Sequence, residues 1–255
     1  MKKLLYLLFT IAICSSCAEQ YNIAGNSNVS CLDGRMLYLR ISSNNDNVRH
    51  STQQIVSVCL DSCKVIHGRF NFEGDVDSAM MAMIYTGNQC VMPLVLENGN
   101  LNIQVDNATQ RVSGGPLNDK LYNFFKKRSR LDNELWEVQQ LTMRMMREGF
   151  SPIEIQKKVG KKTEKLNKKT EDLETRFVME NYNNVLGPGF FRLLCSQFPI
   201  PIMTDQIQQI VSSAPSHFLN DPYVRNYIRQ ANLQAKMQQQ AIEAKHAMQQ
   251  MEQRP

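Results

Sequence analysis

Polar and apolar positions alternate along the first half of the chain, and the period changes near residue 115. Between Tyr21 and Ser113 the apolar residues come in short runs broken by Gly, Asn and Asp. Met36-Leu37-Tyr38-Leu39-Arg40-Ile41, Gln54-Ile55-Val56-Ser57-Val58, Met80-Met81-Ala82-Met83-Ile84-Tyr85 and Val91-Met92-Pro93-Leu94-Val95-Leu96 read as strands. Leu101, Ile103 and Val105 alternate strictly with polar neighbours, which puts them on one face. Asp33-Gly34, Glu73-Gly74, Gly87-Asn88 and Asn98-Gly99 read as turns, because Gly and Asn tolerate a positive φ. About seven to nine short strands at this spacing predict an antiparallel β-sandwich or a partly closed barrel.

After Gly114-Gly115-Pro116 the apolar positions recur at heptad spacing: Leu117, Leu121, Phe124, Leu131, Leu135, Val138 and Met145. Arg128 and Thr142 fall in the same seam and are expected to weaken it locally. Gly149-Phe150 breaks the pattern, and Ser151-Pro152-Ile153-Glu154 reopens a helix with a capping box and Pro in the first turn. Ile155, Val159, Leu166, Leu173 and Phe177 carry that helix toward an expected stop at Gly187-Pro188-Gly189. The fold class expected is therefore α+β, with the sandwich followed by an all-α region containing a long antiparallel helical hairpin. Thr204 is placed to cap a shorter helix carrying Ile207, Ile210 and Val211, and Asp221-Pro222 to start another through Val224, Tyr227, Ile228 and Ala231. Beyond Leu233 the chain is rich in Gln, Ala, Lys and Met, a helix-forming composition with little to bury.

The leader changes the picture. Lys2 and Lys3 precede an apolar core from Leu4 to Ile13, too short to span a bilayer, and Cys14, Ser15 and Ser16 are small. This resembles the bacterial lipoprotein box, in which Cys17 would become the mature N-terminus and carry diacylglycerol and a palmitate-type acyl chain. Cys14 stands where that box usually has Leu. An ordinary cleaved secretory signal is the alternative. Without Lys2 and Lys3 the basic count falls from 29 to 27 against 24 acids, a net charge of about +3. Residues 18–115 hold six Lys/Arg against nine Asp/Glu and residues 116–255 hold 21 against 15, so a mildly acidic half precedes a basic one, neither strongly enough to predict a nucleic-acid partner. Cys31, Cys59, Cys63, Cys90 and Cys195 remain, an odd number, and they read as small buried hydrophobes rather than as a disulfide framework. Cys59 and Cys63 on one straight strand would stand about 13 Å apart, beyond disulfide reach, and only a tight turn from Leu60 to Ser62 would bring them together.

Three patches carry a resemblance. They are Gly68-Arg69-Phe70-Asn71-Phe72-Glu73-Gly74 after Asp61-Ser62, Leu96-Glu97-Asn98-Gly99-Asn100-Leu101, and Val112-Ser113-Gly114-Gly115-Pro116-Leu117-Asn118-Asp119. In that order they resemble the domain of unknown function 4369 of Bacteroidetes lipoproteins, over about Tyr21 to Arg130. The stretch from Tyr182 to Ile228 resembles that family's helical connector more loosely. The resemblance implies a β domain that leads through helices to a thioredoxin-like domain of the TlpA/AhpC type. The expectation here is that the latter is absent. Cys14-Ser15-Ser16-Cys17 is the single Cys-x-x-Cys, and it lies in the export signal. No redox residue is therefore carried over, and neither catalytic residues, a cofactor nor a metal is expected.

Candidate sites are few. Lys157, Lys158, Lys161, Lys162, Lys165, Lys168 and Lys169 span an arc of about 140° at helical spacing, beside the apolar stripe. That arc is either a plainly solvated face or a basic surface for an anionic glycan, a phosphate-bearing lipid or an acidic envelope protein. Asp77-Ser78-Ala79 resembles the O-glycosylation site of exported proteins in this bacterial group, which marks Ser78. His50, His67, His217 and His246 are scattered, with His67 expected in a turn. Asp75 and Asp77 read as solvated acids, and Trp136 as packing at the rim of the helical seam.

The domain plan is a signal peptide over 1–16, a lipidated tether over 17–20, the β domain over 21–115, a helical domain over 116–235 and a polar helical tail over 236–255. The function expected is that of a non-enzymatic lipoprotein, anchored by lipid in the outer membrane of the cell envelope, which binds another envelope component or a ligand through its β domain and helical hairpin. The alternative is an accessory protein for a separate thioredoxin-like oxidoreductase. Replacing Cys17 tests the anchor. Cys17→Ser is expected to release the protein from membranes or to block its processing, read by fractionation and intact mass. An unchanged mass with unchanged membrane association would exclude the lipoprotein reading.

Overall fold

The computed structural model describes residues 19–43, 56–107 and 109–252. The expected lipidation site Cys17, the leader and His50 lie outside the described residues. The chain divides between Asp119 and Lys120 into a β unit and a helical unit, so the first helical turn belongs with the strands.

The β unit is a sandwich of two open four-stranded sheets, and the partly closed barrel is not formed. Its strands are β1 (Gln20–Ser27), β2 (Met36–Ser43), β3 (Val56–Lys64), β4 (Arg69–Asp75), β5 (Met80–Thr86), β6 (Gln89–Leu96), β7 (Gly99–Val105) and β8 (Gln110–Ser113). The first sheet runs β4-β1-β7-β8 and the second β3-β2-β5-β6. All pairings are antiparallel except β1 with β7, which lie parallel with Ile23 opposite Leu101. Period-two alternation turns Tyr21, Ile23, Phe70, Phe72, Leu101 and Ile103 of the first sheet inward. Leu37, Leu39, Ile84, Met92 and Leu94 of the second sheet are buried as well. Pro93 sits in β6, an edge strand, where a missing N–H is tolerated.

The chain passes from one sheet to the other at Ile66–Arg69. His67 (φ 51°) and Gly68 (φ 73°) form a two-residue hairpin turn of the primed type, closed by Ile66 and Arg69 bonding each other's backbone at 2.9 and 3.0 Å. His67 is thus a turn residue, as expected. A Cβ on Gly68 would also stand 2.3 Å from the Ser27 carbonyl oxygen. Glu73-Gly74, by contrast, is not a turn. It lies inside β4, with Gly74 leaving room for the Tyr21 hydroxyl 2.7 Å from where its Cβ would be.

The sheets end at a buried clasp. Glu97 follows β6, and its carboxylate accepts the backbone N–H of Leu117 (3.0 Å) and of Asn118 (2.9 Å). These are free donors in the first turn of a helix, and the negative charge also suits the positive end of the helix dipole. Asn118 donates its amide to the Val95 carbonyl (2.7 Å) and to Glu97 (2.9 Å), while its own oxygen accepts the Val95 N–H (2.9 Å). The carboxamide thereby occupies the open edge of β6 like a one-residue strand. A Cβ on Gly115 would fall 2.2 Å from Glu97 Oε2, and Gly114 holds φ 109°.

The helical unit contains α1 (Pro116–Arg147, from Lys120 onward), α2 (Pro152–Glu180), α3 (Leu186–Cys195), α4 (Asp205–Ser212), α5 (Ser216–Leu219) and α6 (Pro222–Glu252). Among the described residues no helix is long and apolar enough to cross a membrane. α1 and α2 form the antiparallel hairpin: Phe124 stacks on Phe177 at 4.2 Å, and Val138, Met145, Ile155, Val159 and Leu166 share one core. The two polar seam positions are each satisfied. Arg128 reaches across to the buried Glu174, and the Thr142 hydroxyl returns to the Val138 carbonyl at 2.9 Å. Gly149 closes α1 with the Phe150 N–H bonded to Met145 O (3.1 Å), and the Ser151–Glu154 capping box opens α2 as predicted.

The expected stop at Gly187-Pro188-Gly189 is displaced. Helix α2 ends at Glu180, where the buried Asn181 amide bonds the Phe177 carbonyl at 2.7 Å, and Gly187-Pro188-Gly189 forms the first turn of α3. Pro in a first turn costs no hydrogen bond, and a Cβ on Gly187 would stand 2.3 Å from Asn181 O. Thr204 and Asp221 cap α4 and α6 as expected, Thr204 through Ile207 N (3.2 Å) and Asp221 through Tyr223 N (2.9 Å). In α6 burial ends at Ala231, and the described side chains beyond it, Leu233, Met237 and Ile242 among them, are largely exposed.

Removing the clasp carboxylate should be felt at once. Glu97→Ala strands the amides of Leu117 and Asn118, which at about 1–3 kcal/mol for an unmade buried hydrogen bond should lower the urea midpoint clearly. A midpoint equal to that of the unaltered chain would show that the clasp does not stabilise the β unit.

Candidate functional site

The surface with the clearest chemical character lies on α2. Its inward stripe of Ile155, Val159, Leu166, Thr170, Glu174 and Phe177 is buried, and this fixes which side of the helix faces water. All seven lysines, Lys157, Lys158, Lys161, Lys162, Lys165, Lys168 and Lys169, are exposed. Neighbours three and four apart on a helix lie about 5–6 Å apart, so the ammonium groups can form a continuous cationic strip. Among the described residues only Lys168 of the seven is in an ion pair, at 3.2 Å from Asp172 and 3.8 Å from Glu171. Those acids, Asp172 first, hold its pKa above the ordinary lysine value. Lys158 stands 6.0 Å from the centre of the Phe150 ring, a weak cation–π contact at the hairpin turn. Such a strip attracts phosphate, sulfate or carboxylate groups.

The β unit has a smaller cationic feature that the sequence reading missed. Lys64 and Arg69, with Asn26, Asn71 and Ile66, line an open groove of about 540 Å³. The signal for it was the outward parity of Asn and Arg in β1 and β4, visible only once the strands are paired as Asn26 with Arg69 and Ala24 with Asn71.

Ser78 is exposed between β4 and β5, accessible to modification. Asp75 accepts the Gln20 amide at 3.0 Å and Asp77 is exposed, so both are solvated acids. Trp136 is not at the rim of the seam; its ring is mostly in solvent, because one residue beyond Leu135 the helix has already turned outward. His217 Nε2 lies 3.0 Å from the Tyr182 carbonyl, and His246 is in α6. Among the described residues no three His, Cys, Asp or Glu side chains converge as a metal site.

The reading of the cysteines as buried hydrophobes holds for Cys195 and needs correction elsewhere. Cys31, Cys59 and Cys90 are exposed, Cys63 is half-buried, and all five thiols are free. Cys59 and Cys63 share strand β3, which is an edge strand of its sheet. Burial pushes the Cys195 thiol up to about 12 and the Cys63 thiol up to about 11.

Residues 21–121 match the family described as domain of unknown function DUF4369. No curated protein matches the chain.

The thiol environments make a direct test. At pH 8, iodoacetamide should modify Cys31 in the native protein and reach Cys195 only after urea unfolding, as read by peptide mass mapping. Because its raised pKa favours the protonated thiol in the fold, the Cys195 contribution to stability is complete below about pH 9 and is lost as the pH rises toward 12. Rapid native alkylation of Cys195 would contradict its buried position.

Proposed function

We propose, for a chain whose residues 21–121 match a family without an assigned activity, that the protein is a non-enzymatic, lipid-anchored component of the bacterial envelope. It holds an anionic envelope component against the helical hairpin. The observation that carries this reading is the α2 strip: seven exposed lysines, six of them without an ion pair among the described residues. A strip kept only for solubility gains from acids interspersed among the bases, whereas Lys157 to Lys169 contains one acid, Glu164. The leader ending at Cys17 supports the lipid anchor and the location at the outer membrane. The ligand chemistry is a repeated phosphate, sulfate or carboxylate, as presented by lipopolysaccharide, an acidic glycan or an anionic lipid.

Changing Lys157, Lys161, Lys165 and Lys168 to Gln separates binding from solvation. Exposed charges add little to stability, so the variant is expected to unfold at nearly the same urea midpoint as the unaltered protein. Its retention on lipopolysaccharide or anionic liposomes should fall several-fold, and the retention of the unaltered protein should fall as salt is raised, since screening acts on exposed charges. Equal retention of the two proteins at low salt would return the strip to plain solvation.

A further inference from the structure

The turn between α1 and α2 presents large apolar side chains to water on both arms. Ile153 is 81% exposed, Met146 61%, Met143 54% and Phe150 41%. Apolar residues at the end of a hairpin normally close its core, and here Met145 and Ile155 do so. The four exposed residues are therefore surplus to folding, and water-facing groups of this size carry a free-energy cost that a partner would relieve. The turn that holds them is firmly built. Gly149 (φ 86°) and Phe150 bond back to Met146 O and Met145 O at 3.2 and 3.1 Å, and Ser151 and Glu154 cap each other directly after it.

The surrounding charge says what the partner is. Arg144 and Arg147 in the last turn of α1, and Lys157, Lys158 and Lys161 in the first turns of α2, are all exposed beside these apolar groups. The acids of the turn are Glu148 and Glu154, and Glu154 is engaged by the Ser151 backbone N–H and hydroxyl, both at 2.8 Å. An exposed apolar turn flanked by cations matches the two layers of a membrane surface, acyl chains beneath and anionic headgroups above. A second protein would need an apolar patch and acids arranged to match these groups; an anionic bilayer supplies both layers without a preformed fit.

We infer that the α1–α2 turn is an interfacial membrane wedge. Met143, Met146, Phe150 and Ile153 enter the headgroup–acyl boundary of an anionic bilayer, while the flanking Arg and Lys residues hold lipid phosphates. This deepens the reading of the lysine strip and rests on it, since it names the lipid surface as the anionic component. It also adds a second membrane contact beside the lipid expected at Cys17, and two such signals together give stable attachment where one alone can be reversible.

A tryptophan at the turn reports insertion directly. The full chain carrying Trp136→Phe with Ile153→Trp, and separately Trp136→Phe with Phe150→Trp, is reconstituted with phosphatidylcholine vesicles with or without phosphatidylglycerol. The reporter emission is expected to shift to shorter wavelength on the anionic vesicles alone. Brominated acyl chains in those vesicles should quench roughly half of it, and high salt should reverse both effects. Two reporter positions guard against one substitution disturbing the turn. Salt-sensitive retention on anionic vesicles with unshifted, unquenched reporters would overturn the wedge and leave the lysine-strip reading standing. Failure of both retention and shift would overturn the wedge, and retention on lipopolysaccharide would then decide the strip alone. A reporter already shifted without vesicles, together with self-association, would assign the turn to a second copy of the chain and overturn the wedge as well.

Discussion

The carboxylate of Glu97 and the carboxamide of Asn118 together solve two problems that the chain meets at one place. An edge strand ends with an unpaired backbone, and a helix begins with unpaired N–H groups. Glu97 satisfies the helix and Asn118 satisfies the strand at Val95, and the two side chains bond each other. The close approach needs Gly115, since any side chain there would collide with the carboxylate. Two of the three patches that mark the family resemblance are thus halves of a single clasp. Their residue types reflect backbone satisfaction.

The hairpin beyond the clasp follows the same economy. A heptad seam interrupted by Arg128 and Thr142 looks weak on paper, yet each interruption has a partner. Arg128 meets Glu174 on the facing helix, and the Gln206 amide approaches the same carboxylate at 3.4 Å. A buried carboxylate without such partners would be strongly destabilising, so these contacts belong together. At the other end of the seam Phe124, Phe177 and Phe190 pack with centroids 4.2 to 5.2 Å apart, joining α3 to the hairpin. The hairpin is thereby packed with aromatics near its open end, while its turn keeps apolar groups in water.

That asymmetry bears on function. The helical unit combines a cationic strip along α2 with an apolar, cation-ringed turn, and the β unit carries its own cationic groove at Lys64 and Arg69. Charge on exposed flexible side chains gives attraction and rate more than a fixed docking geometry. A protein proposed to work against a membrane or a layer of anionic glycan needs just that kind of contact.

The sequence by itself determined the two periods, the switch at Gly114-Gly115-Pro116, the heptad seam, the capping box at Ser151, the caps at Thr204 and Asp221, and the lysine arc. Each of these is local, set by spacing of 2 or 3.6 or by one side chain reaching its own backbone. Only the tertiary structure decided which strands pair, that β1 runs parallel to β7, that Gly74 lies inside a strand, and that Asn181 rather than Gly187 ends α2. It alone joined Glu97 to Asn118 and Arg128 to Glu174, and it showed Cys31, Cys59, Cys90 and Trp136 facing water. The physical reason is distance along the chain. A glycine in a turn and a glycine making room for a tyrosine ring have the same spelling, and a lone glutamate becomes a helix cap only when another segment brings its N–H groups alongside.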